Sequence, residues 1–262
     1  MIGPLVERLR QGHHTNRFPE VVPPVPDRLR GRPTIDATKC PAGCHACADA
    51  CSVDAITFAT GLDGRPSPRI DLGKCIFCPD CETACPQHAI HFAPEHRLAT
   101  STRADLTVAD GKVYALGKRL EGELLRLYGR SLKLRVVSAG GCNGCEVDVN
   151  VLTTLVWDLG RFGINYVASP RHADGMVICG PVTTNMELAV QKTWEAIPNP
   201  KLCIAIGACA IAGGPFAGNP QHRGGAAAVV PVDLFIPGCP PHPLTILDGF
   251  LRLIGRIDSN RQ

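Results

Sequence analysis

The chain has 262 residues, 45% of them apolar, enough for one large or two ordinary domains with real cores. Its formal charge of +3 does not suggest nucleic-acid binding. No run approaches the ~20 apolar residues of a membrane helix, and Met1–His14 is too short and charged for a secretory signal. Fourteen cysteines in tight spacings, with no such signal, point to a reducing compartment and metal ligation rather than disulfides.

In chain order, residues 1–12 are predicted to form a short helix with Leu5, Val6 and Leu9 on one side. Residues 1–33 as a whole read as an extended arm, because Pro19, Pro23, Pro24, Pro26 and Pro33 interrupt any packed element. Six arginines (Arg8, Arg10, Arg17, Arg28, Arg30, Arg32) against Glu7, Glu20 and Asp27 give this arm a charge equal to the whole-chain excess. It is either a solvated tail or a strap for acidic partner subunits or a lipid surface.

Residues 34–95 contain an internal repeat. Thr34-Ile35-Asp36 leads into Cys40, and Ala55-Ile56-Thr57-Phe58 follows Cys51. Arg69-Ile70-Asp71 leads into Cys75, and Ala89-Ile90-His91-Phe92 follows Cys85. Each copy reads as strand, cysteine loop, short helix, strand. So few residues cannot supply a core alone, so bound clusters would serve as one. Residues 96–131 are a linker, extended apart from a helix at Gly122–Tyr128.

Residues 132–257 alternate strand and helix, which implies a parallel sheet covered on both faces. Strands are expected at Leu132–Val137, Met176–Ile178, Leu202–Ile206 and Leu234–Ile236, and helices at Glu146–Leu159, Asn185–Ala196 and Pro243–Ile254. Residues 258–262 are a tail.

Twelve of the cysteines fall into three groups of four, and four thiolates fill the ligand sites of one 4Fe–4S cube. Cys75-x2-Cys78-x2-Cys81-x3-Cys85-Pro86 is the bacterial ferredoxin pattern, in which the fourth cysteine serves the other cube. The resemblance assigns Cys75, Cys78, Cys81 and Cys51 to one cluster, and Cys40, Cys44, Cys47 and Cys85 to the other. The first run departs from the pattern: Cys40 and Cys44 are separated by one residue more, and Ser52 stands where proline is usual. An added residue can loop out without losing a ligand, although local hydrogen bonds, and with them the potential, would change. Zinc held by four cysteines is the competing reading, but doubled, interlocked spacing is not typical of zinc.

The third group is dispersed. Cys142 and Cys145 lie in a glycine-rich turn between a strand and a helix, while Cys209 and Cys239 each follow a strand. Strand ends of a parallel sheet share one edge, where sites collect. An anionic cube there would meet the free N–H groups and positive end of the helix after Cys145.

Gly141-Cys142-Asn143-Gly144-Cys145-Glu146, Cys179-Gly180-Pro181-Val182-Thr183-Thr184-Asn185-Met186, Ala205-Ile206-Gly207-Ala208-Cys209-Ala210 and Pro237-Gly238-Cys239-Pro240-Pro241 follow one another in family order. Residues 132–257 thereby resemble the cluster-binding small subunit of membrane-bound nickel–iron hydrogenases of the formate hydrogenlyase type, a family that includes the corresponding subunit of respiratory complex I. Residues 1–105 resemble the separate two-cluster ferredoxin subunit of the same complexes, so the chain looks like a fusion of two neighbouring subunits.

The resemblance implies an α+β ferredoxin-like two-cluster domain, then an α/β flavodoxin-like domain with a parallel sheet. It also implies three 4Fe–4S clusters, with Cys142, Cys145, Cys209 and Cys239 holding the third. The implied function is electron relay to or from a nickel–iron large subunit, or to quinone in a complex I-like enzyme. Cys142-x-x-Cys145 favours hydrogenase, because complex I carries adjacent cysteines. Implied partners are that large subunit, membrane-embedded subunits and an electron-donor subunit or ferredoxin. The implied location is cytoplasmic, peripheral to the inner face of the cell membrane.

The remaining candidates have plainer readings. Cys203 reads as a core residue within a strand, and Cys179 as a strand-end residue beside a quartet that is already complete. Glu146 is either a proton relay or an acid favoured in a first helical turn, and Asp148 reads likewise. His242 stands where relatives of the resembled family commonly have arginine. His13 and His14 lack spaced ligand partners.

Overall fold

The computed structural model describes residues 3–60 and 66–257; the expected tail at 258–262 lies outside them. The repeat folds as predicted. Its first copy supplies β1 (Pro33–Ile35), α2 (Ala46–Asp49) and β2 (Ile56–Thr60), and its second supplies β3 (Pro66–Asp71), α3 (Asp80–Thr83) and β4 (Ile90–Phe92); α1 (Gly3–Gln11) precedes both. Pairing is exchanged between the copies. β1 runs antiparallel to β4 in the register Pro33↔Phe92, and β2 runs antiparallel to β3 in the register Ile56↔Ile70. Ile56, Ile70, Leu72, Ile90 and Phe92 are buried here together with Cys47, Cys75 and Cys81. Thiols therefore occupy core positions, as the small apolar content requires.

A third strand, β5 (Thr107–Ala109), joins the β2–β3 pair antiparallel to β3, from within the segment read as an extended crossing. Three residues carry too little alternation to announce a strand. The pairing is reinforced by Arg103, whose Nη1 and Nη2 donate to the two carboxylate oxygens of Asp71 at 2.7 and 2.6 Å. Thr100 then exchanges backbone hydrogen bonds of 2.9 Å with Phe235, which covers the sheet edge in the second half. The helix α4 spans Gly122–Tyr128, as predicted.

The second half comprises β6 (Leu132–Ser138), α5 (Gly144–Val151), β7 (Ile164–Tyr166), β8 (Gly175–Cys179), α6 (Thr184–Ala196), β9 (Leu202–Ile206), α7 (Ala208–Ala212), β10 (Leu234–Ile236) and α8 (Pro243–Leu253). Its five strands are all parallel, in the order β10-β9-β8-β6-β7. β8, β9 and β10 are buried along their whole length, which is why they read as unbroken apolar runs. The expected helix 146–159 stops at Val151. Thr153 and Thr154 turn their hydroxyls back onto the carbonyls of Asn150 and Val151 at 2.8 and 2.7 Å, and Asp158 takes a left-handed conformation. β7 and α7, with three and five residues, are additions to the expected elements.

Every residue of α8 is buried, including the ion pair Arg252–Asp248 at 2.8 Å. Among the described residues no helix is long and apolar enough to cross a membrane.

The arm lies against its own chain. Phe18 is only 3% exposed and joins the core of the second half, and Arg161 donates to the carbonyls of Asn16 (2.7 Å) and Phe18 (2.8 Å). Further on, Gly31 and Arg32 donate backbone N–H groups to Ala93 (2.9 Å) and Glu95 (3.0 Å), at the end of the first half. Burial opposes the charge of Glu95, but Arg97, and then Arg32, outweigh it and hold its carboxyl below the usual range. A solvated tail does not describe these stretches. The helix α1 does match that reading, with Leu5 and Leu9 exposed.

Candidate iron–sulfur sites

Each run in the first half begins on a strand end that turns sharply. Asp36 caps the turn Ala37–Lys39 by accepting from the Thr38 N–H at 3.2 Å, which delivers Cys40. The additional residue between Cys40 and Cys44 is absorbed at Gly43, where φ is +75° and a side chain would meet open space. The chain therefore bulges outward there. The fourth cysteines are equivalent: the Ala55 N–H donates to Cys51 Sγ at 3.3 Å and the Ala89 N–H to Cys85 Sγ at 3.2 Å.

The fold exchanges these fourth cysteines between the runs. A cavity is lined by Cys40, Cys44, Cys47 and Cys85, with Phe58 and Ile90 beside them. Electrostatics groups the thiols the same way. Burial pushes Cys75 up to about 12, and Cys81, Cys51 and Cys78 add to the shift. Burial likewise raises Cys40 and Cys47, with Cys85 contributing to each. Cys81, pushed up to about 12 by burial, also feels Cys78, Cys51 and Cys47, so the two sets adjoin.

The dispersed four converge at the carboxyl edge of the parallel sheet. Cys142 and Cys145 come from the turn after β6, Cys209 from the first turn of α7 after β9, and Cys239 from the loop after β10. The turn before α5 places Asn143 at φ +70°. Gly207 has φ +88°, and a Cβ there would collide with Cys145 Sγ, so this backbone must carry glycine. Burial raises Cys145, followed by Cys209, Glu146, Cys239 and Cys142. Burial takes Cys209 to about 11, with Cys239 and Cys142 contributing. Cys142 and Cys239 are exposed, so the set opens to the surface on their side.

Thiols crowded in this way resist ionisation alone, and a cationic iron centre removes that penalty by deprotonating them. A lone zinc would need its sulfurs about 2.3 Å from one point. Among the described residues no three Cys, His, Asp or Glu side chains gather around a point in that way. Each donor set consists of thiols alone, the soft ligands that suit an iron–sulfur cube.

The Cys75 set faces the dispersed one. Gly73, just before Cys75, packs so closely on α7 that a Cβ would lie 2.7 Å from Ile211 Cγ2. Phe77, between Cys75 and Cys78, shares a cavity with Gly238 and Pro240, which flank Cys239.

The remaining candidates take structural places. Cys203 is buried in β9 and its backbone N–H donates to Asp233 at 2.8 Å. Cys179 is buried at the end of β8, where burial and then Cys145 raise its thiol well above the usual value. Glu146 is 7% exposed and accepts from Ser138 Oγ at 2.6 Å. Asp148 is half-buried, and burial raises its carboxyl. His242 caps α8, its Nδ1 accepting from the Leu244 N–H at 3.2 Å; burial, then His96, hold it below the usual imidazole value. His13 and His14 are exposed. Sequence reasoning missed Arg30, whose Nε donates to the Phe77 carbonyl at 2.6 Å, because no motif marks an arginine in a proline-rich arm.

Comparison with known proteins divides the chain in the same way. Residues 142–253 match the family model "NADH ubiquinone oxidoreductase, 20 Kd subunit", and residues 39–89 match "4Fe-4S dicluster domain". Formate hydrogenlyase subunit 7 of Escherichia coli is 41% identical over 53% of this chain, and the match spans about half (55%) of that protein. The probable membrane-bound hydrogenase subunit mbhJ of Pyrococcus furiosus is 40% identical over 53% of this chain and 86% of its own length. The matching NADH-quinone oxidoreductase subunit of Heliobacterium modesticaldum is 37% identical over 58% of this chain and 90% of that protein.

Proposed function

Because this chain belongs to the family of the NADH ubiquinone oxidoreductase 20 Kd subunit, with a 4Fe–4S dicluster domain ahead of the matched segment, we propose that it is the electron-relay subunit of a membrane-associated hydrogenase. In this reading the first half is a ferredoxin-like domain and the second a flavodoxin-like one. Cys40, Cys44, Cys47 and Cys85 hold one cube. Cys75, Cys78, Cys81 and Cys51 hold the next, and Cys142, Cys145, Cys209 and Cys239 hold the third. Each bound cube supplies a site that takes up and releases one electron. The chain's own residues hold the cubes and, in the first half, aim backbone N–H groups at Cys51, Cys75 and Cys85 Sγ.

The observation that carries this reading is the single cavity lined by Cys40, Cys44, Cys47 and Cys85, drawn from both repeats. Catalysis in this reading belongs to a partner, a nickel–iron large subunit. Membrane-embedded subunits and an electron donor, another subunit or a ferredoxin, complete the complex. It sits peripherally on the cytoplasmic face of the membrane.

Both hydrogenase subunits and NADH-quinone oxidoreductase subunits are among the similar proteins, which keeps quinone reduction as a second reading. The Cys142-x-x-Cys145 spacing favours hydrogen. The complex purified through this chain is expected to reduce viologen under hydrogen. Quinone reduction with no hydrogen-linked activity would assign it to the second reading.

A further inference from the structure

We propose that Arg30 is a positioning residue for the cluster held by Cys75, Cys78, Cys81 and Cys51, tying that cluster's loop to the arm and raising its reduction potential. The inference rests on the relay reading above. Arg30 Nε donates to the Phe77 carbonyl at 2.6 Å. Phe77 is the hinge of the Cys75–Cys78 loop: its φ is +57°, unusual for a bulky side chain, and its N–H donates to Cys75 Sγ at 3.3 Å. A carbonyl held by a guanidinium keeps that peptide turned and its neighbouring N–H aimed at sulfur.

The arm cannot drift with the loop, because both of its ends are fixed. Phe18 is buried in the core of the second half, and Gly31 and Arg32 are bonded to Ala93 and Glu95. Arg30 also borders the cavity of about 200 Å³ that it shares with Phe77, Gly238 and Pro240, between the Cys75 loop and the Cys239 loop. The arm thus crosses the joint between two cluster sites. A cation beside a centre that gains negative charge favours the reduced state. Arg30 is exposed, so the effect is screened by salt and is largest at low ionic strength.

The test is an EPR-monitored redox titration of the full chain at low salt, comparing the parent with Arg30→Gln and Arg30→Lys. Cys78→Ser, which keeps an oxygen ligand at a half-buried corner of the same set, identifies the affected signal as the one whose shape it changes. Arg30→Gln is expected to lower that one centre's potential by about tenfold in the reduction equilibrium, about 59 mV for one electron. The other two centres should hold their values, and Arg30→Lys should recover part of the shift. No movement, equal movement of all three, or movement of another centre overturns the proposal. If Arg30→Gln loses iron, Arg30→Lys decides: a smaller downward shift confined to the same centre with full iron supports the role, and no shift overturns it. Absence of reducible centres in the parent would instead sink the relay reading itself.

Discussion

Cys145→Ala should remove one cluster of three and leave the protein folded, with iron falling by about four atoms per chain. The dispersed site is supported by a core that does not depend on it. β8, β9, β10 and α8 are buried through packing among themselves and carry the second half. Cys145 projects from the start of α5 toward Cys142, Cys209 and Cys239, and with a methyl group in its place one iron of the cube is left to water, which makes the cube labile. The matching change in the first half, Cys51→Ala, should behave differently. There Cys47, Cys75 and Cys81 are themselves core residues, so losing a ligand loosens the fold along with the cluster. Iron analysis with circular dichroism of both variants makes the comparison. Equal unfolding by Cys145→Ala would show that the third site is as structural as the other two.

Asp248→Ala should lower stability by about 3–5 kcal/mol, because it strands a buried charge. Asp248 and Arg252 are each 2% exposed, and their 2.8 Å contact lies one turn apart on α8. Among the described residues Arg252 Nη1 already lacks a hydrogen-bond partner, so the guanidinium has little else to turn to there. The exposed pair Lys192–Glu195, at 2.7 Å, has a similar length but is open to water and should contribute only about 0–1 kcal/mol. Replacing Asp248 and Arg252 together by apolar residues should recover most of the loss. Urea midpoints followed by tryptophan fluorescence report on the correct half, since Trp157 and Trp194 both lie there.

The parts legible in the sequence are those with a repeat or a period. The interlocked cysteine runs and their flanking strands follow from the internal repeat. β9 and β10 are delimited at Leu202–Ile206 and Leu234–Ile236 because strands buried on both faces are continuous apolar runs with clear ends. β5, β7 and α7 are not legible, because elements of three to five residues are decided by their partners rather than by pattern. The end of α5 is overestimated because apolar spacing continues past Val151, while Thr153 and Thr154 divert the backbone. For the candidate sites, spacing identifies the cysteines as sets. The contacts between sets, through Gly73 on Ile211 and Phe77 near Gly238, arise only from the folded arrangement. The arm shows the same limit: its prolines reveal extension, but not that Phe18 and Arg30 find partners in different halves.

Whether twelve of the fourteen cysteines hold three cubes is decided by metal and sulfide analysis of the anaerobically purified chain, together with EPR of the reduced protein. Three cubes require about twelve iron and twelve sulfide per chain, and three reducible centres. Zinc in place of iron, or two centres whose number is unchanged by Cys145→Ala, would contradict that assignment.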